Sequence, residues 1–322
     1  MDGTGGSMDA SDTLSFVRNV PPNRFSTRWG AVGLDHIDWR VALQHYEAER
    51  LEEAYDTAVE IGVGHGARYV TWFRTIEAEF RTSEQASVLP LRENLELEVV
   101  EAEALDFLAD LQTTALSAVE DLGRRFAYGH ESPTRISVLA AETDAPWLFG
   151  RYGYCTLKEP YYKICVPYRL LSNENALYDT LRHEYAHVIV GTLSEGRAPR
   201  WLDEAMAMVA EGGIPSSERR RFARGEEEWL THEELEADLR DLEDSREKYL
   251  AYMQAGLVGE YLVAAFGEPS LGDMLRGFSD HSYWKELWLR IRGTSSEEEA
   301  IDQVYNLTLE ELFARAESWV KG

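Results

Sequence analysis

Leu181-Arg182-His183-Glu184-Tyr185-Ala186-His187 sets two histidines four residues apart, with a glutamate directly after the first. Residues i and i+4 lie one turn apart on the same face of an α-helix, so His183 and His187 can reach one metal ion. Glu184 is rotated about 100° from His183, which puts its carboxylate beside the ion, where it can hold a water. A catalytic zinc takes three protein ligands and keeps one position open, so two histidines are one ligand short. Downstream comes Pro199-Arg200-Trp201-Leu202-Asp203-Glu204-Ala205, with Glu204 seventeen residues past His187. Two histidines and a glutamate form one of the ligand sets of catalytic zinc. The expected cofactor is therefore Zn2+, held by His183, His187 and Glu204.

The flanking residues predict two helices. Asn173 suits the N-cap of a helix running through Leu177, Leu181, Tyr185 and Val188, with Gly191 as its stop. Thr192 to Ala198 reads as a polar loop. Pro199 suits the first turn of a second helix, which carries Trp201 to Ala210 and ends at Gly212-Gly213. A helix, a loop and a returning helix bring Glu204 back to the histidines. By itself H-E-x-x-H is a short pattern that also arises on amphipathic helices with both histidines solvated, and a lone glutamate is ordinarily a surface carboxylate. Their conjunction on two apolar helices is what points to a metal site.

The pair H-E-Y-A-H and P-R-W-L-D-E-A-M-A resembles the peptidase MA-like group of gluzincin zinc metallopeptidases, whose members read H-E-x-x-H and then W-L-x-E-G-x-A. The likeness continues through Tyr249 to Ala255, Glu260-Tyr261-Leu262 and Leu307 to Leu312, ending near Trp319, and upstream through Pro133 to Leu139. It covers roughly residues 90 to 322. The resemblance implies an α+β, zincin-like fold: a small sheet and the motif helix, then a mainly helical C-terminal subdomain. It implies hydrolysis of a peptide or protein substrate, with Glu184 as general base. Tyr252 is the implied donor to the oxyanion, because its helix follows the metal helices as in related enzymes; His281 and His232 are weaker alternatives. There are departures. The usual Gly after the third ligand is Ala205. An Asp that orients a histidine in relatives is replaced by Met208, so the outer partners of the histidines are not given by sequence. The G-x-M-E-N signature is absent, so aminopeptidase activity is not implied.

Two other function classes fit the same residues. One is a zinc-binding but inactive scaffold, against which the presence of Glu184 argues, since a scaffold needs no base. The other is a zinc hydrolase of a non-peptide bond, which the same water activation would serve.

The 322 residues carry a formal net charge of −26. Such a field disfavours nucleic acid and anionic membrane surfaces. The acidic stretches, such as Gly225 to Glu228, read as solvated faces. Apolar residues make up 44% of the chain, which can supply a sizeable core. No apolar stretch has the length of a transmembrane helix, and Met1 to Asp12 lacks a basic region followed by an apolar core. The expected compartment is the cytoplasm, with no membrane and no nucleic acid among the partners. Cys155 and Cys165 are expected to face each other across a hairpin turning near Glu159-Pro160, as packed thiols in a reducing compartment.

Periodicity outlines the rest. Residues 1–35 read as a flexible tail. Residues 36–90 read as a helical extension covering part of the cleft, with one helix over 40–61, a break at Val63-Gly64-His65-Gly66, and an ambiguous stretch from Tyr69 to Phe80. The resemblance implies that residues 91–322 form the gluzincin-like metallopeptidase domain. Leu95, Leu97 and Val99 alternate as a strand, Leu105 to Phe126 mark a long helix, and Ile136 and Val138 mark a second strand. Helices are expected at Tyr249 to Phe266 and Tyr283 to Ile291. Ser296-x-x-Glu299 and Thr308-x-x-Glu311 read as capping boxes opening the last two.

Overall fold

A computed structural model describes residues 37–62, 67–143, 153–158, 160–240, 246–279 and 295–322. The tail, the His65 loop, Glu159, the helix expected at 283–291 and His281 lie outside the described residues. Three helices, α1 (Ile37–Glu47), α2 (Leu51–Ile61) and α3 (Ala67–Ser83), precede strands β1 (Ser87–Arg92) and β2 (Leu95–Val99). A short helix α4 (Glu101–Ala104) and the long α5 (Leu108–Arg125) lead to β3 (Thr134–Val138), β4 (Tyr154–Lys158) and β5 (Tyr161–Val166). Then come α6 (Glu174–Leu193), α7 (Arg200–Glu211), α8 (Ser216–Ala223), α9 (His232–Arg240), α10 (Arg246–Phe266), α11 (Glu268–Ser279), α12 (Ser296–Tyr305) and α13 (Leu309–Lys321). The chain is thus mixed α+β, with the sheet before the motif and helices after it.

The sheet order is β1-β2-β3-β5-β4. Strands β2, β3 and β5 run parallel, while β1 and β4 flank them antiparallel. Side chains alternate between faces along a strand, and the register sorts them sharply. Leu97, Ile136, Ile164 and Cys155 share one face. That face packs under α5 and α6 in the main core. The other face carries Glu98, Ser137, Cys165 and Tyr154, with Lys163 and Lys158 beside them.

That second face looks like a solvent face in the sequence, yet it is buried. Helices α1 and α3 cover it. Glu79 on α3 is fully buried between Lys158 and Lys163, 3.7 and 3.3 Å away, and accepts from the hydroxyls of Tyr46 and Tyr154. Lys163 also pairs with Glu98 and Glu49, each at 3.0 Å, and Lys158 donates to the Tyr46 carbonyl. Burying a charge is tolerated only when it is paired and hydrogen-bonded, and here each lysine has carboxylates within reach. An apolar cluster of Trp39, Ala42, Tyr46, Leu51, Ala54, Ala58, Trp72 and Ile76 holds the three helices to one another.

Several expectations need correction. The helix expected over 40–61 is two helices, broken where Glu49 adopts a left-handed φ of 55° and sends its carboxylate to Lys163. Helices α1 and α3 lie on the sheet face opposite the H-E-x-x-H helix, so these elements cover the back of the sheet and not the cleft. A boundary at residue 90 would cut β1, which pairs with β2. Cys155 and Cys165 do not face each other. Tyr154 is opposite Cys165 and Cys155 is opposite Ile164, so the two buried thiols point to different faces and form no disulfide. Gly191 does not stop α6, which continues to Leu193. A Cβ there would sit 2.5 Å from the Tyr162 hydroxyl, so the glycine serves close packing on β5. The first C-terminal capping box is Ser295 with Glu298, one residue earlier than expected, and the second is Thr308 with Glu311 as expected. The ambiguous Tyr69 to Phe80 stretch is helical. No helix among the described residues is long and apolar enough to cross a membrane.

Candidate metal centre

Helix α6 starts at Asn173, whose side chain accepts from the Ala176 backbone N–H at 3.2 Å. From Leu177 onward most of its residues are buried, on every side. A helix enclosed in this way is normally apolar all round. His183, Glu184 and His187 break that rule, and charged side chains are almost never fully buried unless paired. Their partners come from α7, which packs along α6.

Pro199 is the N-cap of α7, and the Glu236 carboxylate on α9 accepts from the Trp201 backbone N–H at 3.0 Å, satisfying part of the helix start. Trp201 is buried against Phe313 and donates its indole N–H to Glu297. These contacts fix the first turn of α7, and with it Glu204. Glu204 Oε2 lies 3.8 Å from His183 Nε2 and 3.9 Å from His187 Nε2. One ligand atom from each of the three residues lies within 4.8 Å of the others. Tetrahedral ligands at zinc bond lengths are roughly 3.4 Å apart, so the triad is slightly open but already convergent.

The outer partners are carboxylates that sequence reasoning missed. His187 Nδ1 is 2.7 Å from Asp203 Oδ1, and His183 Nδ1 is 2.9 Å from Glu211 Oε2. Each bond turns the remaining ring nitrogen, Nε2, toward Glu204, and carboxylate partners of this kind fix the tautomer of a metal-binding histidine. Met208, where the resemblance would have implied an orienting Asp, is packed in an apolar cluster. Glu211 is seven residues past Glu204, two turns on and on the same face, and from there it reaches His183. The signal was present as carboxylates at these two positions, but an acidic chain offers many.

Burial disfavours charge on His187, yet the carboxylates of Asp203, Glu204 and Glu184 outweigh it and raise its pKa above the ordinary value. His187 Nε2 is buried and has no hydrogen-bond partner among the described residues. Such an atom is costly unless something binds it, and a cation accepted by two imidazoles and a carboxylate satisfies it. The residues present therefore fit a zinc ion.

Glu184 is fully buried on α6. Gly153, which leads into β4, packs against it. A Cβ there would be 3.6 Å from Glu184 Cγ and only 2.7 Å from the Cys165 carbonyl, so only glycine fits. Tyr252 is half-buried on α10. Gly259 and Gly256 of that helix approach the Ala205 carbonyl and the Met208 side chain. Tyr252 shares their face and packs near Met208, Ile214 and Phe222, toward the C-terminal end of α7. Its ring contributes to the packing of α10 on α7. His232 pairs with Glu233 and lies against Phe313, among the supports of Trp201 and not with the triad.

Comparison with family models, with curated proteins and with solved structures finds no match to this chain.

Proposed function

We propose that this protein is a zinc-dependent hydrolase of peptide bonds, of the gluzincin, zincin-like type. The observation that carries the proposal is the convergence of His183 Nε2, His187 Nε2 and Glu204 Oε2 with a buried glutamate next in chain to the first of them. Zinc bound there would supply Lewis acidity to a water and to the scissile carbonyl. Glu184 would take a proton from the attacking water and return it to the leaving amine. Asp203 and Glu211 keep the imidazoles turned toward the ion. Tyr252 is the proposed donor to the carbonyl oxygen as charge builds on it.

A peptide substrate is favoured over other hydrolysable groups by the place of β4. Among the described residues it is an edge strand of the sheet, and Gly153, just before it, packs against Glu184. An extended peptide can add to a strand edge through main-chain hydrogen bonds, which would lay a scissile bond next to the base. The test is metal analysis coupled to digestion of a peptide library. Wild type is expected to hold one zinc and cleave, and Glu184→Gln to hold zinc and not cleave. Metal-loaded wild type that cleaves nothing in the library would sink the peptidase reading.

A further inference from the structure

Arg200 is an unusual residue for its position. It occupies the first turn of α7, where a cation opposes the helix macrodipole, and it is 8% exposed. Its guanidinium spans two carboxylates. Nη2 lies 2.8 Å from Glu204 Oε1, and Nη1 lies 3.5 Å from Asp203 Oδ2. The opposite oxygens of these same two carboxylates face the histidines: Glu204 Oε2 toward both Nε2 atoms, and Asp203 Oδ1 toward His187 Nδ1.

We propose that Arg200 is a positioning residue that makes Glu204 a one-oxygen ligand and locks it to the carboxylate orienting His187. This rests on the zinc reading above and deepens it. A guanidinium is a rigid planar fork. By holding Glu204 Oε1 it turns Oε2 toward the ion, so that a fourth position stays open for water. By reaching Asp203 as well, it couples the carboxylate that binds the ion to the carboxylate that binds the imidazole. Glu184, Asp203, Glu204 and Glu211 gather four carboxylates around two imidazoles, and Arg200 is the cation paired with two of them. Two effects oppose one another on its removal. Charge alone predicts tighter zinc binding without Arg200. Positioning predicts weaker binding, because Glu204 loses its preset orientation, and a higher coordination number, because its second oxygen is freed to reach the ion.

The experiment compares metal-free wild type, Arg200→Met and Arg200→Lys. Zinc affinity is read by competition with a chromophoric chelator, and ligand geometry by the visible absorption of the cobalt(II)-loaded forms. Wild type should give the intense bands of four-coordinate cobalt. Arg200→Met should bind zinc about 10–100-fold more weakly, the usual effect of losing an outer-shell partner, with bands weakened by a higher coordination number. Arg200→Lys keeps the charge without the fork. It should melt like wild type and still show weakened bands, which keeps the test decisive if Arg200→Met folds poorly. Zinc bound as tightly or more tightly by the variants, with the wild-type spectrum, overturns the assignment of Arg200. Wild type that takes up no metal overturns the zinc reading itself.

Discussion

His187 Nδ1 lies 2.7 Å from Oδ1 of Asp203, the residue immediately before Glu204. One turn of α7 therefore supplies both a candidate metal ligand and the group that orients another ligand. Asp203→Asn keeps the size but can present its amide to the ring and lose the correct tautomer. It should lower zinc affinity about 10–100-fold without changing the far-ultraviolet circular dichroism. Titration with a competing chelator checks this, and an unchanged affinity would make the contact incidental.

His183→Ala and His187→Ala should each abolish tight zinc binding, since each removes an imidazole for which no substitute lies in the cluster. Elemental analysis of the double variant decides the point. Full occupancy there would place the ligands elsewhere.

Glu184→Gln and Glu204→Ala should separate base from ligand. The first should retain zinc and lose turnover by ~10²–10⁴-fold. The second should lose the metal. The reverse pattern would exchange their roles.

Tyr252→Phe removes one hydroxyl. An oxyanion donor lost in this way should lower kcat by ~10²–10³-fold with little change in KM, zinc content or melting temperature. Wild-type turnover would leave Tyr252 with only its packing against α7.

The buried network behind the sheet gives a pH dependence. Burial opposes charge on Glu79, but Lys158 and Lys163 outweigh it and hold its pKa at about 2, below the ordinary 4.5. A depressed carboxylate contributes stability that is present above its unfolded value and is lost as pH falls toward its folded value. Stability should therefore drop between pH 4.5 and about 2. Glu79→Gln should cost ~3–5 kcal/mol at neutral pH, the effect of breaking a buried pair, and should flatten that acid limb. Denaturant melts across the pH range measure both. An unaltered acid limb in the variant would assign it to other carboxylates.

The convergence of His183, His187 and Glu204 was legible because helical periodicity and donor chemistry act over a few residues. Asn173 as N-cap, the strand at Leu95 and the box at Thr308 were legible for the same local reason. What escaped were long-range pairings. Asp203 and Glu211 are two of 58 acidic residues, and only the crossing of α6 and α7 picks them out. Gly191 carries the signature of a helix stop, and only its contact with Tyr162 shows otherwise. The alternation in β2 predicted one apolar and one polar face correctly. It could not say that the polar face would be covered, because the covering residues, Glu79 on α3 and Glu49 in the turn between α1 and α2, are distant in sequence and match their lysines only in three dimensions.

The covered polar face has a practical corollary for anyone trimming the protein. Cutting away α1 to α3 would lay bare Lys158, Lys163 and Glu98 together with Tyr154 and Cys165, a mixed surface and not a purely apolar one. The shortened protein would give weaker warnings of damage, such as precipitation or dye binding, than the loss of an all-apolar cover. Good solubility would then be a poor guide to integrity. The loss would have to be sought in the sheet itself, in hydrogen exchange along β4 and β5, where Lys158 would have lost the carboxylates of Glu49 and Glu79.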